Sequence, residues 1–114
     1  MGLFSFRKKP AGPFEFVIED AFALRSGGAA VAGRMLSGSL RQGAKVLCVS
    51  PEGASFVCQV QMIEQPDPAR QGEYVHPEDA RFDGPFGGHY AFRIPDRRRE
   101  DFQPGGKLLP VETE

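Results

Sequence analysis

The chain has almost no net charge. Its 14 Lys and Arg against 15 Asp and Glu leave a formal charge of −1, so no global field draws it to nucleic acid or anionic lipid. No apolar run approaches the roughly 20 residues that a bilayer span needs, and none makes a signal peptide. Only 2 cysteines occur in 114 residues; without an export signal they are expected to be free thiols in a reducing cytoplasm. Met1-Gly2 does not open a myristoylation motif, because Phe6 stands where that motif has Ser or Thr. The glycines at 27 and 28 do not make a phosphate loop, since no Lys-Ser/Thr pair opens a helix behind them. No carboxylate pair or histidine is placed for acid–base work with Asp20. Neither an enzymatic activity nor a cofactor is expected.

What the chain does have is punctuation. It holds 14 glycines and 10 prolines, and its short apolar stretches are separated by turn signals about every ten residues. That pattern reads as one all-β domain. Phe14, Phe16, Ile18, Phe22 and Leu24 fall at period two and define one strand face, interrupted by Asp20. An inward acid needs backbone N–H groups, so Asp20 is expected to tie down the following turn. Arg25 to Gly28 turn the chain, and Ala29 to Leu36 form the return strand. Gly33 inside that strand marks a bulge, a corner or a close backbone approach. Ser37 to Gly43 read as a second turn and Lys45 to Ser50 as the third strand. Phe56 to Ile63 read as one fourth strand, with Phe56, Cys58, Val60 and Met62 inward. A turn over 51–55 would set Cys48 directly across from Cys58, at about 5 Å. Two buried apolar thiols are the expectation there, with a redox-linked disulfide as the alternative.

Residues 1–13 combine apolar Leu3, Phe4 and Phe6 with basic Arg7, Lys8 and Lys9, and read as a flexible leader. Residues 65–88 hold four prolines and an acidic excess and read as a long insertion loop, with Tyr74-Val75 as a short strand at most. His89 to Ile94 and Lys107 to Val111 are the remaining strands. Glu100 and Asp101 offset most of the Arg97-Arg98-Arg99 run, so a solvated turn is expected there. Residues 112–114 form an acidic tail.

Three stretches resemble domain 2 of the translational GTPases, the β-barrel that follows the nucleotide-binding domain in elongation factor Tu and its relatives. Phe16-Val17-Ile18-Glu19-Asp20-Ala21-Phe22 is similar to the opening strand. Gly28 through Gly43, with Val31-Ala32-Gly33-Arg34-Met35, and on to Val46, resembles the hairpin signature. Glu100 to Leu109 resembles the closing turn and strand. The resemblance covers about residues 14–110. It implies a six-stranded, closed antiparallel Greek-key barrel over 14–111, filled by Phe16, Ile18, Phe22, Val46, Phe56, Cys58, Val60, Tyr90, Phe92 and Leu108. The nucleotide-binding domain has no counterpart in the sequence. Where elongation factor Tu sets an acidic and then a basic residue near the aminoacyl end of tRNA, Gln61 and Glu64 stand, so that activity does not carry over.

The expected function is therefore a non-catalytic, cytoplasmic interaction module that binds a protein of the translation machinery or of another regulatory complex. The alternative is RNA binding through Arg34, Arg93, Arg97, Arg98 and Arg99, with Tyr90 or Phe86 to stack. Tyr74 and His89 complete the candidate contact set. A third reading is an enzyme or metal-linked sensor using His76, His89, Asp79 and Asp83, whose spacing follows no established ligand pattern, or a redox sensor.

Overall fold

The computed structural model describes residues 13–67 and 69–111; the expected leader lies almost wholly outside these residues, and the acidic tail entirely so. Nine strands follow one another: β1 Phe14–Ala23, β2 Ala29–Arg41, β3 Lys45–Val49, β4 Ser55–Gln59, β5 Met62–Pro66, β6 Tyr74–Val75, β7 Asp79–Arg81, β8 His89–Ile94 and β9 Lys107–Pro110. Short 3-10 turns at Pro85–Gly88 and Arg99–Asp101 precede β8 and β9. Every ladder is antiparallel. The strand order is β4-β3-β9-β1-β2-β8-β5-β6, with β7 paired to β2. The all-β expectation holds, but the count is nine rather than six. The hydrogen-bonded path is also open, with β4 and β6 at its ends. Extra strands arise because residues 65–88 supply β6, which pairs with β5, and β7, which pairs with the far end of β2, and because the long fourth strand breaks in two.

That break has a local cause. Val60 N–H still bonds Ala44 O at 3.0 Å, whereas Gln61 N–H bonds Arg93 O at 2.8 Å, so the chain leaves β3 for β8 between adjacent residues. The inward phase shifts with it, from Cys58 and Val60 to Ile63 and Gln65. At the free edge of β4, Arg97 donates to Val57 O at 3.2 Å and lies 4.0 Å from the centroid of the Phe56 ring. A side chain thus joins β4 to the turn behind β8, two parts that share no ladder. β2 is longer than expected because Leu40, fully buried, carries its alternation through Gly38 to Arg41.

Phe16, Ile18, Val46, Cys58, Val60, Tyr90, Phe92 and Leu108 are buried as expected. Phe56 is only half-buried and packs on the core's margin, its ring 5.6 Å from that of Phe102. Phe22 departs outright: it is 47% exposed, and Ala21 takes the inward place. The reason is a register shift in β1. Ile18 pairs with Gly33 and Asp20 with Ala32, which leaves Glu19 as an extra residue. A bulge of this kind turns every later side chain to the opposite face. Asp20 consequently points outward, where its Oδ1 accepts from Ala21 N–H at 2.8 Å instead of tying down the turn.

The cysteines also sit in a different register. The loop after β3 is closed by Ser50 N–H to Ala54 O at 2.8 Å, so Cys48 pairs with Phe56 and Cys58 with Val46. The thiols are diagonal rather than opposite, free, and both 2% exposed. Burial pushes Cys48 from 9.0 up to about 11; burial and then the neighbouring Cys48 push Cys58 up to about 12. Unfolded thiols ionise near 9.0, so their contribution to stability is complete below that pH and is lost as pH rises towards 11–12. The melting temperature should fall between pH 9 and 11, and by less in a Cys48→Ala/Cys58→Ala double variant. Equal slopes in the two proteins would show that the thiols are not the cause.

Candidate functional site

The bulge that turns Phe22 outward builds a groove. It has a volume of about 310 Å³ and crosses β1, β2, β8, β5 and β6 on the outer face of the sheet. Its floor is made of small residues, Ala32, Gly33 and Ala91. Phe22, Pro66 and Tyr74 are its apolar walls, and Tyr90, Glu19, Glu64 and His89 complete it. The rings of Phe22 and Tyr74 are 47% and 61% exposed.

Buried hydrogen bonds hold the walls. Gln65, a buried polar side chain, donates through Nε2 to Pro85 O at 3.2 Å and to His89 O at 3.3 Å, strapping the 3-10 turn to β8. The Tyr90 hydroxyl accepts from Arg81 N–H at 3.1 Å and ties β7 to the same strand. Phe86 and Gly87, in left-handed backbone at φ 57° and 66°, bend the chain so that His89 folds back on it. His89 Nδ1 then lies 2.7 Å from Phe86 O. A carbonyl only accepts, so Nδ1 carries the hydrogen and Nε2 faces Glu19 Oε1 at 3.7 Å.

Of the residues singled out from sequence, His89, Tyr74 and Tyr90 line this groove, Tyr90 as a buried ring that is not free to stack. Arg34 stands opposite His89 in the β2–β8 ladder, on the exposed side. Arg93 is committed to Glu64, Nε to Oε2 at 2.8 Å, and Arg97 to Val57 and the Phe56 ring. Arg98 and Arg99 are exposed beside Asp101, whose carboxylate accepts from Arg98 N–H at 2.9 Å. Half-exposed Phe86 lies in the 3-10 turn and outside the groove lining. The five arginines thus divide between the β8 ladder and the turn behind it, with two of them already bound to protein groups.

The metal-sensor residues do not converge. His76 Nδ1 contacts Ile63 O at 3.3 Å, and Asp79 lies between Arg41 and Arg81 at 3.7 and 3.9 Å. Asp83 is exposed. Among the described residues, no group of three or more His, Cys, Asp or Glu side chains is arranged to hold a metal. Also among them, no helix is long and apolar enough to cross a membrane.

Sequence reading missed Phe22, Glu19 and Gln65 as site builders. Two signals pointed to the first pair: an acid at a nominally inward position, and a strand glycine, Gly33, across from it. Gln65 carries none, because its burial depends on the phase change after Val60.

No family model matches the chain, and no curated protein matches it. Solved structures do. GDP-bound aIF5B from Aeropyrum pernix superposes with a TM-score of 0.70 at 17% identity, covering 93% of this chain and 17% of that one. A bacterial selenocysteine-specific elongation factor, EF-Sec, gives a TM-score of 0.62 at 20% identity, covering 92% of this chain and 16% of that one. This chain therefore spans about one-sixth of either protein. At such identities the likeness is one of fold, and it agrees with the resemblance to domain 2 of translational GTPases.

Proposed function

We propose that this chain is a non-catalytic, cytoplasmic interaction module of translation-factor type, whose partner is a protein of the translation machinery and whose contact surface is the Phe22–Tyr74 groove. The observation that carries this reading is the exposure of two aromatic side chains on a folded sheet, one of them turned outward by a register shift. Contiguous apolar surface on a small domain marks an interaction site more often than an accident of packing. The fold likeness supports translation as the setting, since part of aIF5B and part of EF-Sec have a similar fold. A protein partner suits the lining better than RNA does. Glu19 and Glu64 present carboxylates to the groove, while Arg93 and Arg97 are engaged by Glu64 and Val57.

The test is capture of the full chain's partners from lysate, with mass spectrometry and with sedimentation against purified ribosomes. Translation proteins should be retained after nuclease treatment, and a Phe22→Ala/Tyr74→Ala variant should lose them by tenfold or more, an effect of about 1.4 kcal/mol. Loss of every partner on nuclease treatment, or capture indifferent to the double variant, would overturn the proposal.

A further inference from the structure

The polar end of the groove presents two hydrogen-bond acceptors to each other. Because Nδ1 of His89 donates to Phe86 O, the neutral imidazole offers only a lone pair at Nε2. The atom facing it, 3.7 Å away, is Glu19 Oε1, also an acceptor. Both side chains are about half exposed. Half exposed, both acceptors are hydrated in solution, and a guest that displaces that water must supply N–H groups to both.

The groups around them fix what that guest is. From β5, Glu64 lines the groove and is held by Arg93 of β8 at 2.8 Å. From β2, Arg34 stands opposite His89 but makes no ion pair with Glu19 among the described residues. From β1 and β6, Phe22 and Tyr74 bring aromatic surface, and the floor of Ala32, Gly33 and Ala91 leaves flat space between the walls. An anion would meet the unneutralised Glu19 carboxylate, and a purely apolar guest would leave both acceptors facing each other. A planar cation with several N–H donors that stacks on aromatic rings suits every part of the lining, and a guanidinium has those properties.

We infer that the groove is a receptor for an arginine side chain of a partner peptide, placed next to an apolar or aromatic residue, with Glu19 and His89 Nε2 as its acceptors. This rests on the proposed interaction role of the groove and names the chemistry of the partner.

The experiment is an amide-NMR titration of the full chain with N-acetyl-Phe-Arg-amide, with its Glu counterpart, and with a short single-stranded RNA. The Arg peptide should shift groove resonances of β1, β5 and β8, and the Glu peptide should not. Its affinity should fall about tenfold in Glu19→Gln, the scale of one charge-assisted contact. It should also fall in His89→Ala, which removes the second acceptor. Equal binding of the Glu peptide, preferential binding of the RNA in the groove, an unchanged affinity in Glu19→Gln, or no groove shifts at all would overturn the inference. If the Arg peptide fails while Phe22→Ala/Tyr74→Ala still abolishes capture of translation proteins, only the arginine assignment falls. If both fail, the interaction module falls with it.

Discussion

Replacing Gly33 with alanine is expected to destabilise the protein by about 3 kcal/mol or more, at the upper end of what overpacking costs. A Cβ at this position would lie 1.9 Å from Val17 O and 3.0 Å from Phe16 Cζ. The first of these is backbone, which cannot swing aside as the tip of a side chain can. Gly33 sits where β1 carries its extra residue, paired with Ile18 on one side and with Tyr90 on the other. Room for a methyl group would require β1 to move away from β2 and would carry Phe16 with it. Ala32→Gly, one residue earlier, should cost no more than about 1 kcal/mol, through backbone entropy and one lost methyl. Urea unfolding of the two variants checks the contrast; similar midpoints would mean that β1 and β2 do not approach as described.

Phe92→Ala should rank with it, at about 3–5 kcal/mol. The ring is fully buried. Its centroid lies 4.5 Å from that of Phe16 in a tilted pair and 6.4 Å from that of Tyr90, nearly parallel. On the strand ladder it stands between Val31 and Ile63. Removing it leaves a cavity that those neighbours, fixed by backbone pairing on both sides, are poorly able to fill. Domains of this size have about 5–15 kcal/mol of total stability, so the variant should lose a large share of it. Phe92→Leu should retain most of that share. A melting temperature for Phe92→Ala close to that of the unaltered protein would mean that the core is centred elsewhere.

The two variants also mark what could be read in advance. Phe92 belongs to an uninterrupted alternation, His89 to Ile94, and the strand and its inward face emerged as expected. The same holds for Phe16, Ile18, Val46 and Leu108, where period two persists between two turns. Reading failed where the alternation itself breaks. An extra residue at Glu19 sent Phe22 outward, and the crossing after Val60 reversed the phase for Ile63 and Gln65. Neither event has a local signature as strong as a turn glycine, because each is decided by which partner strand wins the backbone bonds. The Cys48–Cys58 register was lost by two residues for a related reason: the loop that sets it closes on Ser50 and Ala54. The groove depends on the first of these irregularities and had no place in a regular barrel. Its histidine and two of its aromatic residues, Tyr74 and Tyr90, were nevertheless already among the candidate contacts.

Arg97 has a different consequence. The guanidinium that grips Val57 O and lies over Phe56 acts as a clasp between the β4 margin of the sheet and the turn that follows β8. The ladders on either side, β3 with β4 and β5 with β8, do not depend on it. Between β4 and the turn after β8 the fold therefore relies on a side chain where elsewhere it relies on a backbone ladder.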